Sequence, residues 1–458
     1  MTRYFGTDGV RAAINTGPMT AENIVRLALA AGRFFMSQKH SSSRQRPLVV
    51  IGKDTRLSGY MVEAALQAGF ASIGMDTRLL GPLPTPAVAN LTRSLRADLG
   101  VMISASHNPH HDNGIKLFGP DGYKLPDTTE DQIASIMDEH IVLAAAADLG
   151  RAKRMQDGLG RYIEQVKGAV PRNQRFSNLK VVVDCANGAA YRAAPDVLFE
   201  MGAEVIPIAI SPDGFNINHN CGAVHPMTMA EAVVTHQADI GLALDGDADR
   251  LIMADEKGQL INGDQCLAVI ADMMRRNNTL KGNTVVGTLM TNHGLGRYLA
   301  ESDIELMRTK VGDRYILDAM RQHDLNLGGE PSGHVLMTDV ATSGDGLMTG
   351  LVMLSALMMA DKPASQALQK FTETPQILLN IRAIRRPDIT KTLEDKAIKE
   401  AIQTAQDALG ASGRVVVRPS GTEPLLRIMV EAEDKSDMQE WANQLEAVIT
   451  NTLNAVSA

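Results

Sequence analysis

The chain has 458 residues, more than one hydrophobic core accommodates, so about two to four domains are expected. With 44% hydrophobic and 21% charged residues it has the composition of an ordinary globular protein, and a net charge of −8 speaks against a nucleic-acid surface. No apolar run reaches the ~18 residues of a membrane helix, residues 1–8 lack a signal-type core, and Cys185, Cys221 and Cys266 lie too far apart for a disulfide framework or a zinc site. A reduced, cytoplasmic protein with neither a membrane nor a nucleic-acid partner is expected.

Along the chain a β-then-α pattern repeats. Phe5-Gly-Thr-Asp-Gly-Val-Arg11 places two glycines and an arginine before any strand, a turn that would tuck Arg11 into a cleft. Residues 39–46 read as an exposed loop. Residues 48–51 read as a buried strand and 59–74 as the helix after it. A second strand is expected at 181–184 with a helix ending near Gly202, and a third at 284–287 with a helix over 294–301. About 40 to 60 residues after each β-α start, a strand ends in a polar loop, at 104–109, 245–250 and 329–334. Ligands bind at such carboxyl-end loops in open α/β sheets. The tail differs: strands at 377–382, 414–418 and 425–431, a long helix over 389–409 and a final helix predict a small α+β domain.

Two of these loops share a design. Ala97-Asp-Leu-Gly-Val-Met-Ile-Ser104 aligns with Ala238-Asp-Ile-Gly-Leu-Ala-Leu-Asp245. The first copy runs into Ser104-Ala-Ser-His-Asn-Pro109, a hydroxyl beside a possible proton carrier, and Lys116 stands close enough in sequence to return to that site. A plain turn accounts for those residue types as well. No G-x-S-x-G elbow is present. The second copy ends in Asp245-Gly-Asp-Ala-Asp-Arg250. On an extended segment the carboxylates of Asp245, Asp247 and Asp249 point to one side, where they repel unless a cation such as Mg²⁺ neutralises them. An EF-hand is excluded, because Arg250 takes the place of the obligatory glycine and both flanks read as strands. A solvated acidic turn and an aspartyl-phosphate nucleophile remain open.

Gly328-Gly-Glu-Pro-Ser-Gly-His334 offers a carboxylate, a hydroxyl and an imidazole suited to sugar hydroxyls, and equally reads as a simple turn. Arg418-Pro-Ser-Gly-Thr-Glu-Pro-Leu-Leu-Arg427 combines two arginines with backbone and hydroxyl donors, the makings of a phosphate cradle, and without G-K-[ST] it is no Walker motif. A hairpin turn with surface arginines is the rival.

Taken in order, the serine loop, the Asp245–Arg250 loop, the Gly329–His334 loop and the Arg418 segment, with Tyr4-Phe-Gly-Thr-Asp-Gly-Val-Arg11 before them, resemble the α-D-phosphohexomutase family from Tyr4 to about Thr450. Within it the chain looks most like the bacterial enzymes that act on amino sugars. Ala12 stands where these usually have glycine, and Pro331 where they usually have Gln or Asn. The resemblance implies an α/β protein, three related α/β domains with mixed sheets plus a smaller α+β C-terminal domain around a central cleft. The divisions are 1–152 for the phosphoserine loop, 153–255 for the metal, 256–367 for the sugar and 368–458 for the phosphate.

It further implies an isomerase, an intramolecular phosphotransferase, interconverting glucosamine 6-phosphate and glucosamine 1-phosphate through a phosphoserine and a 1,6-bisphosphate, and so feeding UDP-N-acetylglucosamine synthesis. By matching position Ser106 would carry the phosphate, with His107, Lys116 and Arg11 supporting its transfer. One Mg²⁺ would be held by that phosphate and Asp245, Asp247 and Asp249. Arg250, Glu330, Ser332, His334, Arg418, Ser420, Gly421, Thr422 and Arg427 would bind the hexosamine phosphate. Glucosamine or glucose 1,6-bisphosphate would serve as activator. A homodimer is left open, as are two alternatives: a phosphomannomutase/phosphoglucomutase of the same family, and a non-catalytic sugar-phosphate-binding regulator.

Overall fold

The computed structural model describes residues 4–6, 8–38, 46–382, 386–419 and 425–457. It divides into two compact units, one formed by residues 1–288 and 309–370, the other by 289–308 and 371–458. The expected loop at 39–46 lies outside the described residues except for Arg46. Among the described residues no helix is long and apolar enough to cross a membrane.

Among the described residues three mixed sheets follow one another along the chain ahead of the C-terminal one, and each repeats one local arrangement. In the first, β1 (Val10–Ala13), β2 (Leu48–Lys53), β3 (Asp76–Pro82), β4 (Leu99–Ile103), β5 (Asp112–Phe118) and β6 (Ala152–Arg154) take the order β1-β5-β4-β2-β3-β6. In the second, β7 (Lys180–Asp184), β8 (Glu204–Ile208), β9 (Ile240–Leu244), β10 (Leu251–Asp255) and β11 (Leu260–Ile261) take the order β11-β10-β9-β7-β8. Next along the chain come β12 (Thr284–Thr288), β13 (Glu305–Thr309), β14 (Leu327–Gly329) and β15 (Val335–Met337).

Strands β4, β9 and β14 each have a parallel neighbour (β2, β7 and β12) and an antiparallel return (β5, β10 and β15). The three polar loops of the sequence are the connections from those strands to their returns. Both β4 and β9 are buried along their whole length, which explains their unbroken apolar runs. The internal repeat extends to single bonds. Asp98 accepts from the Leu48 N–H at 2.7 Å and Asp239 accepts from the Lys180 N–H at 2.7 Å, so the same aspartate ties the base of each strand to its parallel neighbour. Separate apolar clusters lie under the first and second sheets, one around Val49, Ile51, Val101 and Ile103, the other around Val182, Met229 and Ala243.

The second unit carries an antiparallel sheet of β16 (Gln376–Arg382), β17 (Gly413–Pro419) and β18 (Leu425–Ala432), with β18 in the middle. Its core joins Ile428 and Val430 to Ile398 and Ala405 of one helix and Leu445 and Ile449 of the C-terminal helix, the α+β build that the tail predicted. The single long helix expected over 389–409 is two helices, Arg386–Glu394 and Lys396–Leu409. Asp395 between them adopts an extended backbone and its carboxylate accepts from the Ala397 N–H at 2.8 Å. An N-capping aspartate thus restarts the helix inside a run of good helix formers.

Candidate active site

The serine loop leaves β4 at Ser104. Ser106 is 2% exposed and its backbone is left-handed, with φ of 50°. Its Oγ donates to Asp245 Oδ2 at 2.6 Å, and His107 Nδ1 lies 3.4 Å away. Ser104 does something different: its hydroxyl donates to Asp54 at 2.6 Å and accepts the Ser106 N–H at 2.9 Å. Of the two serines, Ser106 presents its hydroxyl to the acidic loop and Ser104 braces it.

Asp245, Asp247 and Asp249 are all buried, and one carboxylate oxygen of each lies within 4.8 Å of the others. The sequence explained their convergence by strand alternation; the structure replaces that reason. Residues 245–250 form a turn in which Ala248 is left-handed at φ 58° and its N–H donates to Asp245 O at 3.0 Å. Chain reversal, not a pleat, brings the three carboxylates together. The expected strands do flank the loop, as β9 and β10.

Buried like charges perturb one another. Burial, then Asp249 and Asp247, push the Asp245 carboxyl well above its ordinary range. Burial also opposes charge on Asp249, yet Lys116, His334 and Arg250 together hold it well below that range. Lys116 comes from β5, opposite Met102. Its Nζ lies 2.9 Å from Asp247, 3.4 Å from Asp249 and 3.4 Å from Asp8, and these partners outweigh burial and raise it well above an ordinary lysine. Asp247 Oδ1 and Asp249 Oδ1 are buried without a hydrogen-bond partner. Three buried carboxylates with oxygens this close together, two of which lack a hydrogen bond, fit a hard cation with oxygen preference such as Mg²⁺.

Arg11 donates to Asp8 at 3.0 Å and to Asn108 at 3.4 Å, so the N-terminal arginine does reach the serine loop. The turn ahead of it needs Gly9: φ is 74°, and a Cβ there would lie 2.3 Å from the Ile115 carbonyl oxygen. Burial, followed by Arg250 and Arg11, lowers His107 to about 4.

In the sugar loop Glu330 accepts from the Gly312 N–H at 3.1 Å and from Ser332 at 3.4 Å. Gly333, at φ 90°, sits so close to β10 that a Cβ would be 2.0 Å from Leu251 O; its own carbonyl accepts the Leu251 N–H at 3.0 Å. The loop is therefore fastened to the residue that follows Arg250. Arg250 itself donates from its backbone to Asp245 at 3.1 Å. His334 is buried between two carboxylates, Nδ1 3.7 Å from Asp249 and Nε2 3.6 Å from Asp313.

In the second unit Arg418 and Arg427 stand directly opposite across β17 and β18, with Asn380 opposite Arg427 on β16. Like charges in register oppose sheet pairing, and an anion between them would offset the cost. The two arginines line a cavity of about 240 Å³ with Asn380, Met290, Leu378, Val416 and Met429. Arg427 Nε is buried without a hydrogen-bond partner. Ser420, Gly421 and Thr422 lie outside the described residues.

Sequence reading missed several residues. Arg56, at the end of β2, is fully buried; it donates to Ser106 O at 2.9 Å, Asn108 O at 2.8 Å, Asp112 O at 3.1 Å and Pro109 O, while Asp54 takes its Nε at 2.8 Å. Asn218 donates to Ser106 O at 2.9 Å. Thr85 donates to Asp247 at 2.5 Å. Lys124 bridges Asp8 at 2.5 Å and Asp313 at 2.6 Å. Only Lys53-Asp-Thr-Arg56, polar residues ending a buried strand, carried a legible signal.

Family models match the chain in four consecutive stretches. They are described as phosphoglucomutase/phosphomannomutase alpha/beta/alpha domains I (2–141), II (160–258) and III (262–374) and the C-terminal domain (380–448). A phosphoglucosamine mutase of Paramagnetospirillum magneticum is 55% identical over 95% of this chain and 96% of its own length. Among solved structures, a phosphoglucomutase/phosphomannomutase family protein of Burkholderia thailandensis superposes with a TM-score of 0.82 at 24% identity over 98% of this chain and 97% of its own. The Aspergillus fumigatus N-acetylphosphoglucosamine mutase, solved with GlcNAc-6P and magnesium, superposes at 0.67 and 17% identity over 99% and 96%. At those identities the two structures speak for the fold.

Proposed function

The chain belongs to the phosphoglucomutase/phosphomannomutase family, and from that premise we propose that it interconverts glucosamine 6-phosphate and glucosamine 1-phosphate, the activity for which its 55% identical relative is named. The observation that carries the reading is the buried Ser106 hydroxyl 2.6 Å from Asp245, within a three-carboxylate cluster that also holds Lys116.

In the proposed reaction a phosphoryl group on Ser106 Oγ passes to the free hydroxyl of the sugar phosphate. The Oγ–P bond breaks as the sugar O–P bond forms, and the hydroxyl proton ends, in net terms, on Ser106. A 1,6-bisphosphate results, and after it turns over, its other phosphoryl returns to Ser106. In the unphosphorylated form the Ser106 hydroxyl keeps its proton and donates it in a hydrogen bond to Asp245 at 2.6 Å. Asp245, Asp247 and Asp249 would hold Mg²⁺ together with the serine phosphate. The cation supplies charge compensation for the phosphoryl oxygens. Lys116 adds a fixed positive charge beside it, and preorganised charge of this kind lowers transition-state energy without reorganisation.

The sugar hydroxyls are assigned to Glu330 and Ser332. The phosphate that is not being transferred is assigned to Arg418 and Arg427, with Ser420, Gly421 and Thr422. Because either end of a bisphosphate presents a phosphate, one cradle serves both orientations. The divisions at 152, 255 and 367 are part of the same proposal, as are glucose or glucosamine 1,6-bisphosphate as activator and the cytoplasm as the location. A silent regulator has no use for a serine hydroxyl aimed at three carboxylates. The deciding experiment is a coupled assay on the 6-phosphates of glucosamine, mannose and glucose with a bisphosphate activator. Preference for mannose or glucose would move the assignment within the family, and no activity on any of the three would end it.

A further inference from the structure

Six ionisable side chains of the first unit close a ring. Asp249 meets Lys116 at 3.4 Å, Lys116 meets Asp8 at 3.4 Å, and Asp8 meets Lys124 at 2.5 Å. Lys124 meets Asp313 at 2.6 Å, Asp313 meets His334 at 3.6 Å, and His334 returns to Asp249 at 3.7 Å. From Asp249 to Asp313 carboxylates and ammonium groups alternate, and the buried His334 closes the circuit between those two carboxylates. The ring takes its members from around three sheets: Lys116, Lys124 and Asp8 from the first, Asp249 from the second, Asp313 and His334 from the third.

Local structure explains how Lys124 enters it. Phe118 pairs with Lys124 across a tight turn, with Gly122 N–H donating to Gly119 O at 2.9 Å. Residues 116 and 118 share one side of β5, and cross-strand partners share a side as well. Lys124 therefore projects on the same side as Lys116. It touches neither the serine nor the acidic cluster. Its two carboxylate partners are the ones that flank Lys116 and His334, the two side chains on either side of Asp249 in the ring.

We propose that Lys124 is a positioning residue: by holding Asp8 and Asp313 it fixes Lys116 and His334, and through them the alignment of Asp247 and Asp249 for the cation and the transferring phosphoryl group. This rests on the mutase reading above and adds to it a role for a residue outside the four motifs. Without Lys124, Asp8 and Asp313 face each other with no cation between them, and the ring opens where the first and third domains meet.

Coulomb's law gives a test with opposite signs. Removing one positive charge near three carboxylates should by itself tighten Mg²⁺ binding. Loosening their alignment should weaken it. In Lys124→Met we expect about tenfold weaker Mg²⁺ binding by calorimetry on the unphosphorylated chain. We also expect kcat to fall about 10- to 10²-fold, the scale of loss for a small misplacement. Lys124→Arg should restore both to within about threefold. Unchanged or tighter Mg²⁺ binding, or unchanged kcat in a folded Lys124→Met protein, overturns the proposal. If Lys124→Met does not fold, Lys124→Gln, which removes the same positive charge and keeps a hydrogen-bond donor between Asp8 and Asp313, must show the same two losses. A wild type inactive on all three sugar phosphates would instead defeat the mutase reading, and the calorimetric result would stand apart from it.

Discussion

The guanidinium of Arg56 donates at 2.9 Å to the backbone carbonyl of Ser106, and the carbonyls of Asn108, Pro109 and Asp112, the first residue of β5, converge on it as well. An arginine at the end of one strand thus holds the loop at the end of its parallel neighbour. Arg56→Met leaves those carbonyls and the buried Asp54 without their cation, and a loss of about 3–5 kcal/mol is expected. Urea unfolding measures it; a change below about 1 kcal/mol would remove Arg56 from this account.

The two serines should separate cleanly. Ser106→Ala is expected to lower activity by at least ~10³, because a covalent relay loses its carrier. Intact-mass measurement should find a partial gain of one phosphate on the wild type and none on this variant. Ser104→Ala should keep the phosphate and lose stability, since its hydroxyl links Asp54 to the Ser106 N–H. The reverse pattern would exchange their roles.

Asp247→Asn removes one charge and one ligand oxygen from the acidic cluster. We expect severe loss of activity with the fold retained, since Lys116 and Thr85 can still bond to the amide oxygen. Wild-type activity should vanish in EDTA and return with Mg²⁺. Activity that survives chelation would contradict the metal assignment.

Arg418→Lys keeps the charge in the cradle and loses the guanidinium fork. A charge-assisted contact is worth about 1.5–3 kcal/mol. Because the phosphate is held in ground and transition states alike, the main effect should be a raised KM, with a smaller loss in kcat. The serine phosphate should persist. An unchanged KM for the sugar phosphate would exclude Arg418 from substrate binding.

Asp345 predicts a pH dependence of stability. Its carboxylate caps the helix Gly346–Ala360 by accepting from Met348 N–H at 2.9 Å, and Tyr162 donates to it at 3.0 Å, yet burial outweighs both and raises it to about 6. A carboxyl raised in the folded state binds its proton more tightly there than in the unfolded chain. Stability therefore falls as pH climbs from about 4 to 6, by at most about 3 kcal/mol. Asparagine keeps the acceptor oxygen and does not titrate. Thermal melts of Asp345→Asn and wild type should diverge above pH 6 in favour of the variant and converge near pH 4; parallel curves would refute the burial argument.

Contiguous chemistry was legible in the sequence and assembled chemistry was not. Ser106, His107 and the three aspartates stand together on loops that end apolar strands, and the repeat of 97–104 in 238–245 survives down to Asp98 and Asp239. Arg56, Asn218, Lys124 and Asp313 act from other strands and loops, and only folding brings them near. The geometry of the acidic loop was misjudged because alternate spacing suits a strand, whereas Ala248 adopts a conformation that sequence favours only weakly for alanine. The helix break at Asp395 was hidden by strong helix formers on both sides, although Asp is itself a capping residue.

The left-handed backbone of Ser106 limits which amino acid can occupy the position. Threonine carries the same hydroxyl and accepts a phosphoryl group as readily, but a branched Cβ is a genuine outlier at positive φ. The loop would have to relax, and the hydroxyl would swing away from Asp245. In this chain the choice between two chemically equivalent alcohols is thus made by a backbone torsion, and a search for functional variants at position 106 would return unbranched side chains.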